Sequence, residues 1–339
     1  MPDATVAVVI VSYRSAGLAI ESLRSVAAER GTAGLAIRAV VVDNASGDLP
    51  PIARAVAENG WSSWVTTVLA PRNGGFAYGN NLGIRQALES GPADYLYLLN
   101  PDTQVRPGAI ATLVRFLAAE PRIGIAGSSF ENQDGSDWPI AFRFPSLLSE
   151  LSQAVGFGPL MRLLDRWAVA REMSAEAPQQ VDWICGASMM IRAAVLEAVG
   201  GLDEGYFLYF EETDFCLRAR RAGFATWYVP ASRVMHVGGQ STGVTERNTA
   251  PRRLPAYWFE SRRRYFIKAF GVAHALAIDL VVLAAYPLGW LKRLVLRQGA
   301  TSVPHYYRDF LRNSLLRARN RSLARLEDPA RLSHRAHGA

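Results

Sequence analysis

Three short stretches carry residue types that can do chemistry together. Residues 98–103 read LLNPDT, so an apolar run ends in one carboxylate, Asp102, beside Asn100, Pro101 and Thr103. Such a carboxylate is a hard oxygen ligand for Mg2+ or Mn2+, ions that commonly bridge one or two carboxylates to substrate phosphates. Proline fixes the backbone and removes a donor, although Asn, Pro and Asp also suit a plain strand-ending turn. Residues 201–224 read GLDEGYFLYFEETDFCLRARRAGF. Glu211, Glu212 and Asp214 open a helical pattern, Arg218, Arg220 and Arg221 close it, and Gly223 stops it. That order complements the helix dipole, so a well-capped helix explains most of these residues. It explains the Glu211-Glu212 doublet less well. Adjacent carboxylates raise one another's pKa, which suits a general base. The aromatic lead-in of Tyr206, Phe207, Tyr209 and Phe210 can desolvate the pair, and Tyr209 is a candidate acceptor contact. His236 lies in VMHVGGQST, ahead of Gly238, Gly239, Ser241 and Thr242. A lone His is commonly a hydrogen-bonded structural residue; here it can also be a second protein ligand to a metal on Asp102.

Two further stretches offer contacts rather than reactivity. In PRNGGFAYGNNLG (71–83), Gly74, Gly75, Gly79 and Gly83 let backbone approach a ligand, and Asn73, Asn80 and Asn81 offer amides for a base, ribose or phosphate. Glycine inside a helix costs up to about 1 kcal/mol relative to Ala, so Gly79 and Gly83 call for a close backbone contact. Trp183, in VDWICGASMMI (181–191), is either core or a wall for a sugar ring.

Elements that alternate in type must position these groups. Strand patterns cover 6–13, 37–44, 64–70, 94–100 and 123–129. Helical patterns cover 17–30, 49–59, 76–90 and 108–119. Such alternation implies a parallel sheet covered on both faces, with ligands at the carboxyl ends of the strands. Those ends read Ser12-Tyr13, Asp43-Asn44 and Asn100-Pro101-Asp102, so three polar clusters should meet at one crevice. A helix at 211–222 and a strand at 225–230 follow, and an apolar stretch spans 271–296.

The first strand leads into SYRSAG, not G-x-G-x-x-G, and no G-x-x-x-x-G-K-[ST] occurs, so nicotinamide, flavin and P-loop chemistry are poor fits. Two cysteines among 339 residues form no disulfide framework, which fits a reducing compartment. The N-terminus has no basic segment before its apolar run and reads as a strand rather than a signal peptide. The net charge of +7 is concentrated after Lys292, where eleven Lys and Arg face three Asp and Glu. This basic tail suits a solvated face or an anionic membrane surface, and no groove-reading motif supports nucleic-acid binding. Within 271–291 the apolar run contains Asp279 and a Pro287-Gly289 interruption. A central charge in a bilayer costs roughly 2.5–3.5 kcal/mol by insertion scales, which favours an interfacial or core-packed helix over a spanning one.

Seven motifs in order, VVIVSY, VVDNASGD, RNGGFAYGNNLG, LLNPDT, WICGASMMIR, GGLDEGYFLYFEETDFCLRARRAG and HVGGQST, are similar to glycosyltransferase family 2, in its rhamnosyltransferase-like branch. The resemblance covers residues 5 to about 245. It implies an α/β GT-A fold: a Rossmann-like, mostly parallel sheet with helices on both faces, followed here by a C-terminal helical extension. It implies a nucleotide-sugar half at 1–130 and a catalytic and acceptor half at 131–245; the apolar stretch and the basic composition after it are read as a helical, membrane-associated extension at 246–319 and a disordered basic tail at 320–339. It also implies metal-assisted inverting transfer from a nucleotide-diphospho-sugar, with Mg2+ or Mn2+. By that resemblance Asp43 recognises the base, Asp102 and His236 hold the metal, and Glu212 is the general base beside Glu211. Ser12, Tyr13, Asn44, Asn73, Gly74, Asn80 and Asn100 line the donor, and Trp183 and Tyr209 the acceptor. Asn100 stands where many relatives carry an Asp, and Glu211-Glu212 where Glu-Asp is commoner. The donor expected is dTDP-β-L-rhamnose, with a UDP-sugar or a non-catalytic homologue as alternatives. The acceptor expected is a cell-surface glycan or a polyprenyl-diphosphate-linked sugar, reached from the cytoplasmic face of the plasma membrane. A nucleotidyltransferase would need a basic activating loop after the first strand. A processive synthase would need several spans and a Q-x-x-R-W element.

Overall fold

β-Branched runs and helical repeats set the order of elements along the chain. They are β1 (Ala4–Ser12), α1 (Ala16–Glu29), β2 (Leu35–Asp43), α2 (Leu49–Glu58), β3 (Val65–Leu69), α3 (Gly75–Glu89), β4 (Tyr95–Leu99), β5 (Thr103–Val105), α4 (Ala109–Ala119) and β6 (Ile123–Glu131). Then come β7 (Asp137–Trp138), β8 (Ile140–Phe142), α5 (Leu147–Val155), β9 (Ala170–Glu172), β10 (Gln179–Val181), β11 (Ser188–Arg192), α6 (Ala193–Val199), α7 (Glu211–Arg221) and β12 (Ala225–His236). Three helices follow: α8 (Ala256–Phe270), α9 (Val272–Val295) and α10 (Tyr306–Asn313). This computed structural model describes residues 4–31, 34–138, 140–155, 167–237, 252–295 and 303–314. The expected phosphate-facing loop at 238–242 and the basic tail at 320–339 lie outside the described residues.

The main sheet runs β10-β12-β6-β11-β4-β1-β2-β3. β1 pairs in parallel with β2 and β4, and β2 with β3. Val6 to Ile10 of β1 are fully buried, as expected of a central strand covered on both faces. The sheet is mixed beyond β4, because β11 enters antiparallel between β4 and β6. Parallel neighbours need a covering crossover, usually a helix. No helix separates β10 from β11, and the parallel pattern is interrupted there.

One apolar cluster fills each face of the sheet. Gly79 explains itself on one of them: a Cβ there would lie 2.6 Å from Val11, and one at Gly83 would overlap Val9. The close contact that these glycines permit is thus between α3 and β1, not with a ligand.

A third cluster joins α5, α8, α9 and α10. At its centre Arg262 pairs with Glu150 and Asp279, both at 2.7 Å. Asp279, the charge that made a spanning helix costly, is therefore neutralised inside the protein. α9 continues through Pro287 instead of breaking there. Among the described residues no helix is long and apolar enough to cross a membrane.

Candidate active site

β4 ends at Leu99, and the turn after it carries Asn100, Pro101 and Asp102. Thr103 donates its hydroxyl proton to the Asn100 carbonyl at 2.6 Å, which closes the turn. β5 then pairs antiparallel with the end of β12, placing His236 opposite Thr103. The pairing brings His236 Nε2 to 3.4 Å from Asp102 Oδ1. The imidazole stacks on Trp138 at 6.0 Å and 11°, with Phe130 at 5.2 Å. Among the described residues, the buried Nδ1 of His236 has no hydrogen-bond partner.

Glu211 and Glu212 open α7, where the helix dipole favours negative charge. Glu212 Oε1 accepts from the Gly186 amide at 3.4 Å. Among the described residues, Oε2 of each glutamate has no partner. Burial, then the charge of Glu212, pushes the Glu211 carboxyl well above the usual range. Burial also pushes Glu212 up, partly offset by its own backbone amide and that of Gly186. Glu211 is the more deeply buried of the two, and Glu212 is the one that meets the Gly186 amide.

Cys185 ties the two halves together. Burial and then the nearby charges of Glu212, Asp102 and Glu211 push its thiol up to about 12. Cys185 also precedes Gly186, whose amide donates to Glu212. The backbone gives the same adjacency: Asn100 donates its N–H to Ala187 at 3.1 Å, one residue from the amide that holds Glu212.

The loop entering α7 is strained. Tyr209 and Phe210 have φ of 72° and 68°, in the left-handed region. Non-glycine residues there cost about 1–3 kcal/mol each and persist only where the surroundings fix them. Three contacts do so. Asp203 binds Arg264 at 2.8 Å and Lys268 at 2.5 Å, Ser261 donates to the Leu208 carbonyl at 3.0 Å, and the Phe76 amide donates to the Phe207 carbonyl at 2.9 Å. The last contact needs Gly75, whose φ is 85° and whose Cβ would overlap the Phe207 carbonyl oxygen. The glycine-rich turn is thereby locked to the loop that enters α7.

The structure gives several of the expected donor residues other partners. Asp43 is fully buried. Its Oδ1 accepts from the Ser46 amide at 2.8 Å and hydroxyl at 2.7 Å, and its Oδ2 from the Gly47 amide at 3.2 Å and the Leu49 amide at 2.9 Å. Burial raises its pKa, but these bonds outweigh burial and hold it below the usual range. With two bonds on each oxygen, the carboxylate shapes the loop that follows β2. Ser12 is also fully buried and donates to Asp48 at 2.5 Å. Asn44 donates to Asn73 and to the Gly75 carbonyl, both at 3.1 Å, and accepts from Gly74 at 3.4 Å, so this cluster holds the glycine turn in place. Asn80 is buried and its amide donates to the Phe76 carbonyl at 2.9 Å inside α3. Tyr13 and Asn100 remain half-buried at the strand ends.

On the acceptor side, Trp183 stacks on Phe142 at 4.1 Å and donates to the Arg143 carbonyl at 2.9 Å, so Phe142 occupies one indole face. Tyr209 stacks on Tyr257 at 6.2 Å and 20°, and the exposed Phe207 lies 5.2 Å from Tyr257. Sequence reading missed Tyr257, which lies on α8, 45 positions after Glu212. It also missed Asp48 and Cys185 as site components, whose only signal was membership of the motifs, and gave Phe207 only as part of the aromatic lead-in to the glutamate pair.

A sequence profile of the family described as "Glycosyltransferase like family 2" matches residues 2–253. The N-acetylglucosaminyl-diphospho-decaprenol L-rhamnosyltransferase of Mycobacterium tuberculosis (strain ATCC 25618 / H37Rv) is 35% identical over 152 residues, 44% of this chain and 49% of that protein. Rhamnosyltransferase WbbL of Escherichia coli (strain K12) is 28% identical over 165 residues, 48% of this chain and 60% of that protein. The chain spans about half the length of the curated relatives it matches. Among solved structures, the mannosyltransferase PcManGT from Pyrobaculum calidifontis, in complex with GDP-Man and Mn2+, shares 18% identity at a TM-score of 0.54, over 98% of this chain and 85% of that one. At that identity the likeness concerns the fold alone, which is the GT-A fold with C-terminal helices.

Proposed function

The chain belongs to the glycosyltransferase like family 2, and from that premise we propose that it is an inverting transferase. It would move L-rhamnose from dTDP-β-L-rhamnose to a hydroxyl of a polyprenyl-diphosphate-linked or cell-surface glycan. The observation that carries the reading is that the 185–187 segment joins the two sets of groups: the Gly186 amide donates to Glu212, and the Ala187 carbonyl accepts from Asn100 in the turn that carries Asp102. The rhamnosyltransferase names of two relatives support the donor, and the decaprenol acceptor of one supports a lipid-linked acceptor.

Glu212 takes the proton of the acceptor hydroxyl as that oxygen bonds to the anomeric carbon. The bond from that carbon to the diphosphate oxygen breaks, and its electron pair leaves with the nucleoside diphosphate. The glycine turn, held by Asn44 and Asn73, faces the donor. Phe207, Tyr209 and Tyr257 form an aromatic wall for the acceptor.

Asp102 and His236 fit a divalent cation by the chemistry of the pair: a carboxylate oxygen and the imidazole Nε2 lie close together. When bound, Mg2+ or Mn2+ stabilises charge on the departing diphosphate. Among the described residues no cluster of three or more His, Cys, Asp and Glu forms a complete cage, so the donor's phosphates would supply further ligands.

The enzyme would act from the cytoplasmic face as a peripheral protein. The test is transfer from dTDP- and UDP-sugars, with Mg2+ or Mn2+, to a lipid-diphosphate-linked acceptor. Turnover is expected with dTDP-rhamnose and is lost in Glu212→Gln with donor affinity retained. A general base contributes about 10²–10⁴-fold in rate. Turnover with a UDP-sugar alone would refute the donor, and near-normal turnover of Glu212→Gln would refute the base.

A further inference from the structure

The main chain fixes where His236 and Asp102 stand. His236 lies opposite Thr103 in the ladder of β5 and β12, and the Val237 amide donates to the Asp102 carbonyl at 3.1 Å. The main chain does not fix the imidazole ring. Rotation about the bond that joins a histidine ring to Cβ is broad and roughly two-fold, so packing must choose its plane. Two aromatic side chains do so here. The indole of Trp138 lies nearly parallel to the imidazole, at 11° and 6.0 Å, and Phe130 lies 5.2 Å from it. Phe130 and Trp138 are themselves 6.0 Å apart, so the three rings form one cluster.

Trp138 reaches that place on a hairpin. β7 pairs antiparallel with β6, with Phe130 opposite Trp138 and Glu131 opposite Asp137. The turn between the strands closes on itself. The Asn132 amide donates to the Ser136 carbonyl at 2.9 Å and the Gly135 amide to the Asn132 carbonyl at 3.0 Å, and Gly135 takes the left-handed φ of 79° that a short hairpin loop needs. A strand of two residues is a weak anchor, and charges supply the rest. Arg233, three residues before His236 on β12, binds Glu131 and Asp137, both at 2.5 Å. Arg106 binds the other oxygen of Glu131 at 2.8 Å. The hairpin is therefore clamped to the strand that bears the histidine.

We infer that Trp138 is a positioning residue: clamped through Arg233, the hairpin holds the indole against His236 and keeps Nε2 turned toward Asp102. Nε2 lies 3.4 Å from Asp102 Oδ1. This role rests on the reading of Asp102 and His236 as ligands of a divalent cation. A ring already held in one plane loses less freedom when it takes a ligand, which is the gain of preorganisation. Side chains that orient a metal-binding residue by hydrogen bonds are worth about 10–100-fold in metal affinity. A ring stack is weaker, and an ordinary aromatic pair corresponds to about two- to twelvefold. Trp138 also packs against the edge of the core. A packing role alone predicts an effect that does not depend on His236.

The test is Mn2+ binding by the full chain, read from the electron paramagnetic resonance of free Mn2+, with dTDP and separately with UDP present. His236→Ala should lower the affinity by at least about tenfold. Trp138→Leu should lower it about two- to twelvefold, and Trp138→Phe, which keeps a ring, should stay within about twofold of wild type. In the His236→Ala background Trp138→Leu should change the affinity by less than about 1.5-fold, because the indole then has no imidazole to hold. Asp137→Asn, at a half-exposed position, loosens the clamp without touching the rings. It should lower the affinity about twofold in wild type and leave it unchanged in His236→Ala.

Wild-type affinity in Trp138→Leu, beside a weak His236→Ala, would overturn this inference alone and leave the metal reading standing. Equal losses from Trp138→Leu with and without His236 would assign the indole to general packing and overturn it as well. Should Trp138→Leu fail to fold, Asp137→Asn decides: wild-type affinity there, or the same loss in both backgrounds, overturns the clamp. Wild-type affinity in His236→Ala would overturn the metal reading, and this inference with it. The readout needs no sugar transfer. The expected Mn2+ pattern in a chain that transfers no sugar would therefore count against the transferase reading alone.

Discussion

Asp203→Asn probes the strut that holds the loop entering α7. Asp203 accepts from Arg264 at 2.8 and 3.0 Å and from Lys268 at 2.5 Å, and only 10% of its side chain is exposed. Burial alone would raise its pKa, but the two cations win and bring it from 3.8 to about 2. A shift of that size corresponds to about 2.5 kcal/mol, at about 1.36 kcal/mol per pH unit. The folded-state pKa is depressed, so this stability is present above the unfolded value near 4. It is lost as pH falls toward 2. Asn keeps the shape and removes the charge. Urea unfolding at pH 7 should show the variant less stable by about 2.5 kcal/mol, and the gap should shrink steadily between pH 4 and pH 2. The variant should also turn over more slowly, because Asp203 braces the strained Tyr209 and Phe210 backbone that aims Glu212. A gap below about 0.5 kcal/mol at pH 7, within the range of ordinary surface substitutions, would refute the strut. So would a gap that does not change with pH.

Three other outcomes follow from the site. The acceptor kcat/KM should rise with pH through an inflection above the ordinary glutamate value of about 4.3. Glu211→Gln, which mimics a protonated neighbour, should leave that inflection and most of the rate in place; loss of activity equal to that of Glu212→Gln would make the pair a joint base. Gly75→Ala should destabilise by at least about 2 kcal/mol in thermal or urea unfolding, from left-handed backbone plus overlap with the Phe207 carbonyl. Tyr257→Ala should raise the acceptor KM about two- to twelvefold, the equivalent of one aromatic contact of about 0.5–1.5 kcal/mol, with donor KM unchanged. An unchanged acceptor KM would remove α8 from the acceptor wall.

The sequence by itself determined the elements of the nucleotide half and the groups at its edge. β1 to β4 and their helices fall within two residues of their sequence patterns, because buried parallel strands and amphipathic helices write their periods into the chain. The charge order of α7 marked both its ends, and the seven motifs named Asp102, Glu212 and His236 before any contact was known. Only the tertiary structure decided how such groups are used. An isolated Asp at a strand end reads the same whether its lone pairs are free or filled; Asp43 turned out to organise its own loop, while Asp102 meets His236. Glycine in a helix signals a close neighbour without naming it, and at Gly79 and Gly83 that neighbour is β1. Tyr257, the buried partner of Asp279 and the stack of Trp138 on His236 depend on how distant segments pack. Periodicity tells which residues share a face, but only packing tells what that face meets.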